Sequence, residues 1–150
     1  YAIDRTYQRI ADDGSLTKLD APKVGDRVLV TLNFSTPVEA RYLVIDDPLP
    51  ANFEAVNPEF KTQAMAGAGL SNTWTSDYNE IRTDRALFFT NFAPARGKFS
   101  LQYLARVIAE GDTTAPPARI EAMYQPDKYG LSPTQRIRTL PSAGAKVAEK

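Results

Sequence analysis

The stretch FSLQYLARVIAEGDTTAPPARIEAMYQP, residues 99–126, decides the fold class of this chain. Its first nine residues alternate between two faces, and one face carries five apolar or aromatic side chains: Phe99, Leu101, Tyr103, Ala105 and Val107. Alternation with a period of two predicts a β-strand that places one face in a core. The chain then enters a turn at Gly111, crosses the stiff Pro116-Pro117 step and reaches Met123 and Tyr124. This order predicts a β-module that presents a loop to a partner.

Strand patterns outside this stretch predict an all-β fold. Residues 26–35 alternate cleanly, and residues 40–45 are apolar except for Arg41, which predicts a central strand covered on both faces. The remaining strand patterns occupy residues 1–10, 78–82, 85–91 and 135–140. About seven strands at these turn spacings predict an antiparallel β-sandwich.

Two segments fall outside the strand pattern. Residues 52–79 are irregular, contain Pro58, Gly67 and Gly69, and leave room for one short helix around residues 59–65. Residues 141–150 are mostly small or charged, which predicts a flexible tail. We therefore expect a single domain at residues 1–140, followed by this tail.

The composition is that of one soluble globular domain. The 150 residues are 43% hydrophobic and 24% charged, and a chain of this length needs no disulfide or metal to fold. The 18 basic and 18 acidic residues give a formal net charge of +0. This balance argues against a nucleic-acid partner, because such binders carry a basic surplus.

Two absences exclude whole classes of chemistry. The chain has no Cys and no His, so a thiolate nucleophile and a Ser-His-Asp triad are both excluded. No apolar run is long enough for a transmembrane helix. The first residue, Tyr1, is not Met and lies inside a strand pattern, so we expect this chain to be a segment of a longer protein.

Acidic residues near the strand ends provide the first candidate site: Asp46, Asp47, Glu54, Glu80 and Asp84. They lack the dense spacing of a calcium loop, so we expect no metal here. Ion pairs with Arg82 and Arg85 and strand-end capping account for them instead, and Asp84-Arg85 is expected to set strand register. A glycosidase-like pair of Asp46 or Asp47 with Glu54 is an alternative, because two carboxylates suffice for that chemistry.

Aromatic residues and methionine provide the second set of candidates. Trp74 is the only tryptophan, and it either packs over a core edge or stacks on a sugar or a protein partner. The second case corresponds to a stand-alone adhesion or carbohydrate-binding module. Met123 and Tyr124 either complete the core or offer an adaptable thioether and an amphipathic ring to another domain. The pattern alone leaves both alternatives open for this pair.

Several motifs in combination resemble one protein family. VGDRVLVTL at residues 24–32, YLVIDDPLPANFEAVNP at residues 42–58 and TDRALFF at residues 83–89 precede the stretch quoted first. In this order, and over residues 1–139, the chain is similar to the last macroglobulin-like domain of bacterial alpha-2-macroglobulins. The resemblance implies a macroglobulin-like β-sandwich at the C-terminal end of a large multidomain protein.

The same resemblance implies a function without catalysis and without a cofactor. The parent protein in this family is a broad-spectrum protease inhibitor: a protease cleaves a bait segment, and a Cys-x-Glu-Gln thioester in another domain captures it. The C-terminal domain packs against the thioester domain and holds the inactive state, and Met123 and Tyr124 match the position of the shielding element. The implied partners are the parent's other domains, target proteases through the parent, and a penicillin-binding protein. The implied location is the periplasm, with the parent lipid-anchored to the inner membrane in a role of bacterial defence.

Overall fold

The computed structural model describes residues 1–56 and 77–142, and these residues form strands and no helix. The strands are β1 (Ala2–Ile10), β2 (Leu16–Lys18), β3 (Arg27–Thr36), β4 (Ala40–Pro48), β5 (Phe53–Ala55), β6 (Tyr78–Ile81), β7 (Arg85–Ala93), β8 (Gly97–Val107), β9 (Gly111–Ala115), β10 (Arg119–Ala122), β11 (Gln125–Leu131) and β12 (Gln135–Thr139). The predicted all-β class is confirmed. The predicted short helix around residues 59–65 and residues 143–150 of the predicted tail lie outside the described residues.

The described ranges contain twelve strands, whereas seven were expected. The five additional strands are β2, β5, β9, β10 and β11, and all of these except β11 have only three to five residues, which show little or no period. They form two five-stranded sheets, with orders β2-β1-β3-β8-β5 and β11-β10-β4-β7-β6, here called the first and the second sheet. Strands β9 and β12 form a separate two-stranded ribbon. Every pairing between these strands is antiparallel. No described helix is long and apolar enough to cross a membrane.

The core lies between the two sheets and follows the alternation of their central strands. From β3 and β8 it receives side chains that are at most 4% exposed: Val28, Val30, Leu32, Phe34, Leu101, Tyr103, Ala105 and Val107. From the second sheet it receives Leu43, Ile45 and Phe88, among others. The predicted inward face of residues 99–107 is confirmed, with Phe99 half-buried at its end. Removal of this apolar surface from water, at about 25 cal/mol per Å², is the main force that holds the sheets together.

Two details of the strand predictions are wrong. Strand β4 is central in its sheet but covered on one face only, since Tyr42 is 48% exposed and Val44 is half-buried. Gly111 does not form the turn after β8 but opens β9, with a φ of 140° that a side chain would oppose. The composition of an apolar run gives no information about which element covers its second face.

Asn52 connects the ribbon to the sandwich. Its side chain is buried, donates from Nδ2 to the Thr139 hydroxyl at 3.2 Å and accepts from the Thr113 hydroxyl at 2.9 Å. Its backbone carbonyl accepts from the Ile108 amide at 2.8 Å. A single buried amide therefore bonds to both ribbon strands and to the segment that precedes them.

Candidate functional site

Met123 and Tyr124 form the tight turn between β10 and β11. Strand β10 ends at Ala122, which pairs with Gln125, the first residue of β11, so only two residues connect the strands. The side chains leave the core at this point: Met123 is 47% and Tyr124 is 76% exposed. The interpretation that they complete the core is therefore wrong. They are presented to solvent at the end of the second sheet.

Tyr42 of β4 supports this turn from the adjacent strand. Its carbonyl oxygen accepts a hydrogen bond from the Met123 amide at 2.9 Å. Its ring meets the Tyr124 ring edge to face, with centroids 5.2 Å apart and planes at 87°. Such a geometry is a preferred one for aromatic pairs. The turn therefore has one backbone and one side-chain attachment to β4.

A cleft of about 340 Å³ lies beside the two tyrosines. Its walls include Tyr42 and Tyr124 together with three charged side chains, Glu39, Arg41 and Lys128. The two exposed tyrosine rings, the exposed thioether and Arg41 are of residue types that are enriched at protein–protein interfaces. No group of three acidic side chains that could hold a metal exists in the described residues.

The predicted acidic residues are distributed over several ion pairs and do not form one cluster. Asp46 accepts from Arg85 at 3.0 Å, and Glu80 accepts from Arg82 at 3.0 Å, as the ion-pair interpretation predicted. Asp84 lies 3.9 Å from Arg85, a much weaker contact than the one with Asp46. The closer partner of Arg85 is therefore Asp46, across the β4–β7 pairing, rather than its sequence neighbour Asp84.

The two carboxylates of the hydrolase alternative do not share a cleft. Asp46 lies on the outer face of the second sheet, whereas Glu54 belongs to β5 of the first sheet and pairs with Arg106 at 2.6 Å. Asp47 points into the core with no exposed side-chain surface. The geometry gives no support to a paired-carboxylate mechanism, which needs both groups on one substrate.

Asp47 belongs to a buried polar cluster that joins the two sheets. Its carboxylate accepts a hydrogen bond from Nη1 of Arg5 on β1 and another from the hydroxyl of Tyr103 on β8. Nη1 of Arg5 also donates to the Pro48 carbonyl at 3.3 Å, and its guanidinium lies 5.2 Å from the ring centroid of Tyr7. The cluster is closed to solvent, so it acts in the fold and not on a substrate.

Burial dominates the protonation behaviour of this cluster. Desolvation raises the pKa of the Asp47 carboxyl above its ordinary value, against the opposing effects of the Arg5 charge and the Tyr103 hydrogen bond. Burial also raises the pKa values of the Tyr103 and Tyr7 hydroxyls. Charged forms are disfavoured at the core because the surroundings cannot solvate them.

The pairing of Arg5 with Asp47 was not predicted from the sequence, although a signal for it exists. Arg5 lies on the same face of β1 as Ile3 and Tyr7, and Asp47 lies on the same face of β4 as Leu43 and Ile45. The period of each strand therefore places the charged side chain on the inward face. Buried charges are paired, which makes each the natural partner of the other. Trp74 lies outside the described residues, so its packing over a core edge and its stacking on a sugar or a protein partner both stay predictions.

Comparisons with known proteins show what this chain is similar to. The family model for the bacterial alpha-2-macroglobulin MG10 domain matches residues 1–127. An alpha-2-macroglobulin homolog of Nostoc sp. is 31% identical over 96 residues, which are 64% of this chain and 5% of that protein. Circularly permutated Ras protein 2 of Dictyostelium discoideum is 32% identical over 115 residues, 76% of this chain and 3% of that protein.

Solved structures show the same fold. Native alpha-2-macroglobulin of Escherichia coli has a TM-score of 0.76 at 24% identity, over 93% of this chain and 9% of that one. Salmonella alpha-2-macroglobulin reacted with methylamine has a TM-score of 0.71 at 22% identity, with the same coverage. The chain thus spans less than a tenth of the length of each of these relatives.

Proposed function

Because the chain belongs to the family of bacterial alpha-2-macroglobulin MG10 domains, we propose that it is a non-enzymatic, C-terminal domain of a longer protease trap. In this proposal it packs against the domain that carries a thioester and holds the inactive state. The observation that carries the proposal is the presentation of Met123 and Tyr124 at a fixed two-residue turn, outside the core.

A thioester is shielded when water and amines are excluded from it. A thioester is hydrolysed or aminolysed wherever those nucleophiles reach it. A Met and a Tyr side chain buried against it each add roughly 1.5–3 kcal/mol of apolar cover. The turn is tied to β4 through the Tyr42 carbonyl, so little chain entropy is lost when a partner covers it.

The contact must also break when a protease cleaves the parent. Interdomain contacts of roughly 600–1,500 Å² hold domains together and still permit relative motion. A small exposed turn beside a cleft fits such a contact better than a large apolar face would. For the parent protein, we propose a periplasmic location with a lipid anchor. Its proposed partners are target proteases and a penicillin-binding protein. The solved structure of trypsin-activated alpha-2-macroglobulin from Escherichia coli has the same fold as this chain, with a TM-score of 0.73 at 23% identity.

The first experiment uses the parent chain with its native upstream sequence. The protein is treated with methylamine, and the released thiol is titrated. One thiol per chain is expected, since an amine opens a thioester and liberates its sulfur. No released thiol would contradict the shielding role and leave only an interdomain contact for the turn.

The second experiment replaces the turn residues in the parent. Met123→Ala and Tyr124→Ala are each expected to speed spontaneous thiol release roughly tenfold, because about 1.4 kcal/mol of lost cover corresponds to a factor of ten. Tyr78→Ala is the control, since Tyr78 is 60% exposed on β6 at the opposite edge of the second sheet. Equal release rates in all three variants and the wild type would refute the shielding role.

A further inference from the structure

Tyr42 has an unusual backbone conformation for its position. Three non-glycine residues in the described ranges have positive φ: Ala21, Tyr42 and Arg96. Ala21 and Arg96 lie in bends or turns, whereas Tyr42, with φ of 54°, lies inside strand β4. A bulky residue in the left-handed region is a genuine outlier, and such residues concentrate at functional sites.

The left-handed residue changes which side chains of β4 face outward. Beyond it, towards Asp47, every second side chain is buried, starting with Leu43 and Ile45; before it, Ala40 is buried. Arg41 and Tyr42 are therefore exposed in succession, which a regular strand does not allow. Without this change of phase, residue 41 would face the core and residue 40 would face solvent.

The partner strand β7 has the same irregularity at the same height. Asn91 and Phe92 are exposed in succession, while Thr90 and Ala93 are buried. The pairing of β4 with β7 continues from Arg41–Phe92 to Leu43–Thr90 and omits Tyr42. Both strands thus change phase together, at Tyr42 and Asn91, and the pairing keeps the same register on either side of them.

Burial of the Tyr42 side chain in the core does not offset the strain of its left-handed backbone. Its ring is 48% exposed, and the ring contact that the structure shows for it is with Tyr124. Its carbonyl holds the Met123 amide. The ring contact and the hydrogen bond both join Tyr42 to the Met123–Tyr124 turn, which in the proposed function contacts a partner domain.

We propose that Tyr42 is a positioning residue for the Met123–Tyr124 turn, acting through its carbonyl on Met123 and through its ring on Tyr124. Its effect on the parent rests on the proposed function, whereas its effect on the Tyr124 ring does not. An exposed tyrosine without a neighbour samples several rotamers, and ordering it on binding weakens the contact. The Tyr42 ring removes that loss before the partner arrives.

The first test is made on this chain by nuclear magnetic resonance of its tyrosine rings. Tyr42→Gly keeps the left-handed backbone, which glycine adopts freely, and removes only the ring. Tyr42→Phe keeps both. In Tyr42→Gly we expect the Tyr124 ring signals to move to positions typical of a free side chain while the Met123 amide stays protected from exchange. In Tyr42→Phe we expect the Tyr124 ring signals to keep their wild-type positions and the Met123 amide to stay protected. Unmoved Tyr124 signals in Tyr42→Gly would overturn the proposal.

The second test measures spontaneous thiol release in the parent. Tyr42→Gly is expected to speed release about two- to tenfold, the range that one aromatic pair supports. Because Tyr42 acts through Tyr124, Tyr42→Gly combined with Tyr124→Ala should release no faster than Tyr124→Ala alone. A purely structural role would instead lower the unfolding midpoint and add to the Tyr124→Ala effect, which would overturn the proposal.

The proposed function and the positioning role of Tyr42 can be refuted separately. If Tyr124→Ala speeds release and Tyr42→Gly does not, the positioning role is wrong and the proposed function stands. If neither variant speeds release but the Tyr124 ring signals move in Tyr42→Gly, the proposed function is wrong and the positioning contact stands. Tyr78→Gly in β6 controls for the loss of an exposed ring elsewhere in the second sheet.

Discussion

The hydroxyl of Tyr103 on β8 donates a hydrogen bond of 2.5 Å to the carboxylate of Asp47 on β4, and this bond joins the two sheets inside the core. The Arg5 guanidinium bonds to the other oxygen of the same carboxylate. Both side chains of the Tyr103–Asp47 bond are fully buried. The relative position of the two sheets therefore depends on polar contacts as well as on apolar packing.

Tyr103→Phe should destabilise the domain by about 1–3 kcal/mol. The variant keeps the ring in place and leaves a buried carboxylate oxygen without its donor, which costs the desolvation of that group. Chemical denaturation followed by circular dichroism measures the change in the free energy of unfolding. Tyr129→Phe, on the exposed edge strand β11, is the matched control and should change it little. Equal stability of both variants would contradict the role assigned to the Tyr103 hydroxyl.

Arg5→Met should destabilise the domain more, by roughly 3–5 kcal/mol, because it leaves Asp47 buried without a countercharge. Replacement of the whole cluster, by Arg5→Met with Asp47→Leu and Tyr103→Phe, should recover much of that loss. Nε and Nη2 of Arg5 lack a hydrogen-bond partner in the described protein, so the native cluster is only partly satisfied. A triple variant less stable than Arg5→Met alone would show that the cluster itself stabilises the fold.

Acidification should remove the contribution of Asp77 to stability. The Asn91 amide and the Thr90 hydroxyl donate to its carboxylate and lower its pKa below the ordinary value of 3.8. A folded-state pKa below the unfolded one means that the unfolded chain binds more protons in this range. The stabilisation is therefore complete above pH 3.8 and is lost as the pH falls through the lower, folded value.

The measurement for Asp77 is the urea midpoint of the wild type and of Asp77→Asn between pH 6 and roughly pH 2.5, the range set by this linkage. The difference between the two proteins should be largest near neutral pH and should shrink on acidification. Asp127→Asn, which removes an exposed carboxylate of β11, is the control. A difference that stays constant across the range would contradict the assignment.

Asn52→Ala should loosen the ribbon of β9 and β12 specifically. The variant removes the hydrogen bonds to Thr113 and Thr139 and leaves their hydroxyls without this partner, with an expected loss of about 1–3 kcal/mol. Hydrogen exchange should rise first in the ribbon amides and less in β3 and β8. Exchange that rises uniformly over all strands would show that the ribbon does not open separately.

Alternation predicted the inward faces of the central strands well. Leu101, Tyr103 and Ala105 are buried as their period requires, and so are Val28, Val30, Leu32 and Phe34. The period did not predict that Leu29 and Leu104, on the opposite face, are also buried, in a second small cluster with Ile10. Short strands such as β2 and β5 escaped prediction because three residues carry no period. The Arg5–Asp47 pair was missed because charged residues in a strand were assumed to face solvent. The period of both strands instead places these two side chains on the inward faces.

For the candidate site, the sequence predicted which residues matter but not how they are held. Met123 and Tyr124 were selected from the pattern and from the family resemblance, with burial in the core still open. Their exposure, and the support by Tyr42, depend on where β4 lies relative to the β10–β11 turn. Residues 42 and 124 are too far apart in sequence for any local pattern to relate them.

The amino-acid sequence by itself determined the all-β class, the inward faces of β3 and β8, and the absence of thiol and imidazole chemistry, because alternation and composition are local properties of the chain. Only the tertiary structure decided that Asp47 meets Arg5 and Tyr103 and that Tyr42 meets Tyr124. The physical reason is that hydrogen bonds and ring contacts act over a few ångströms. Which residues come that close is set by strand order and register, which follow from packing of the whole domain.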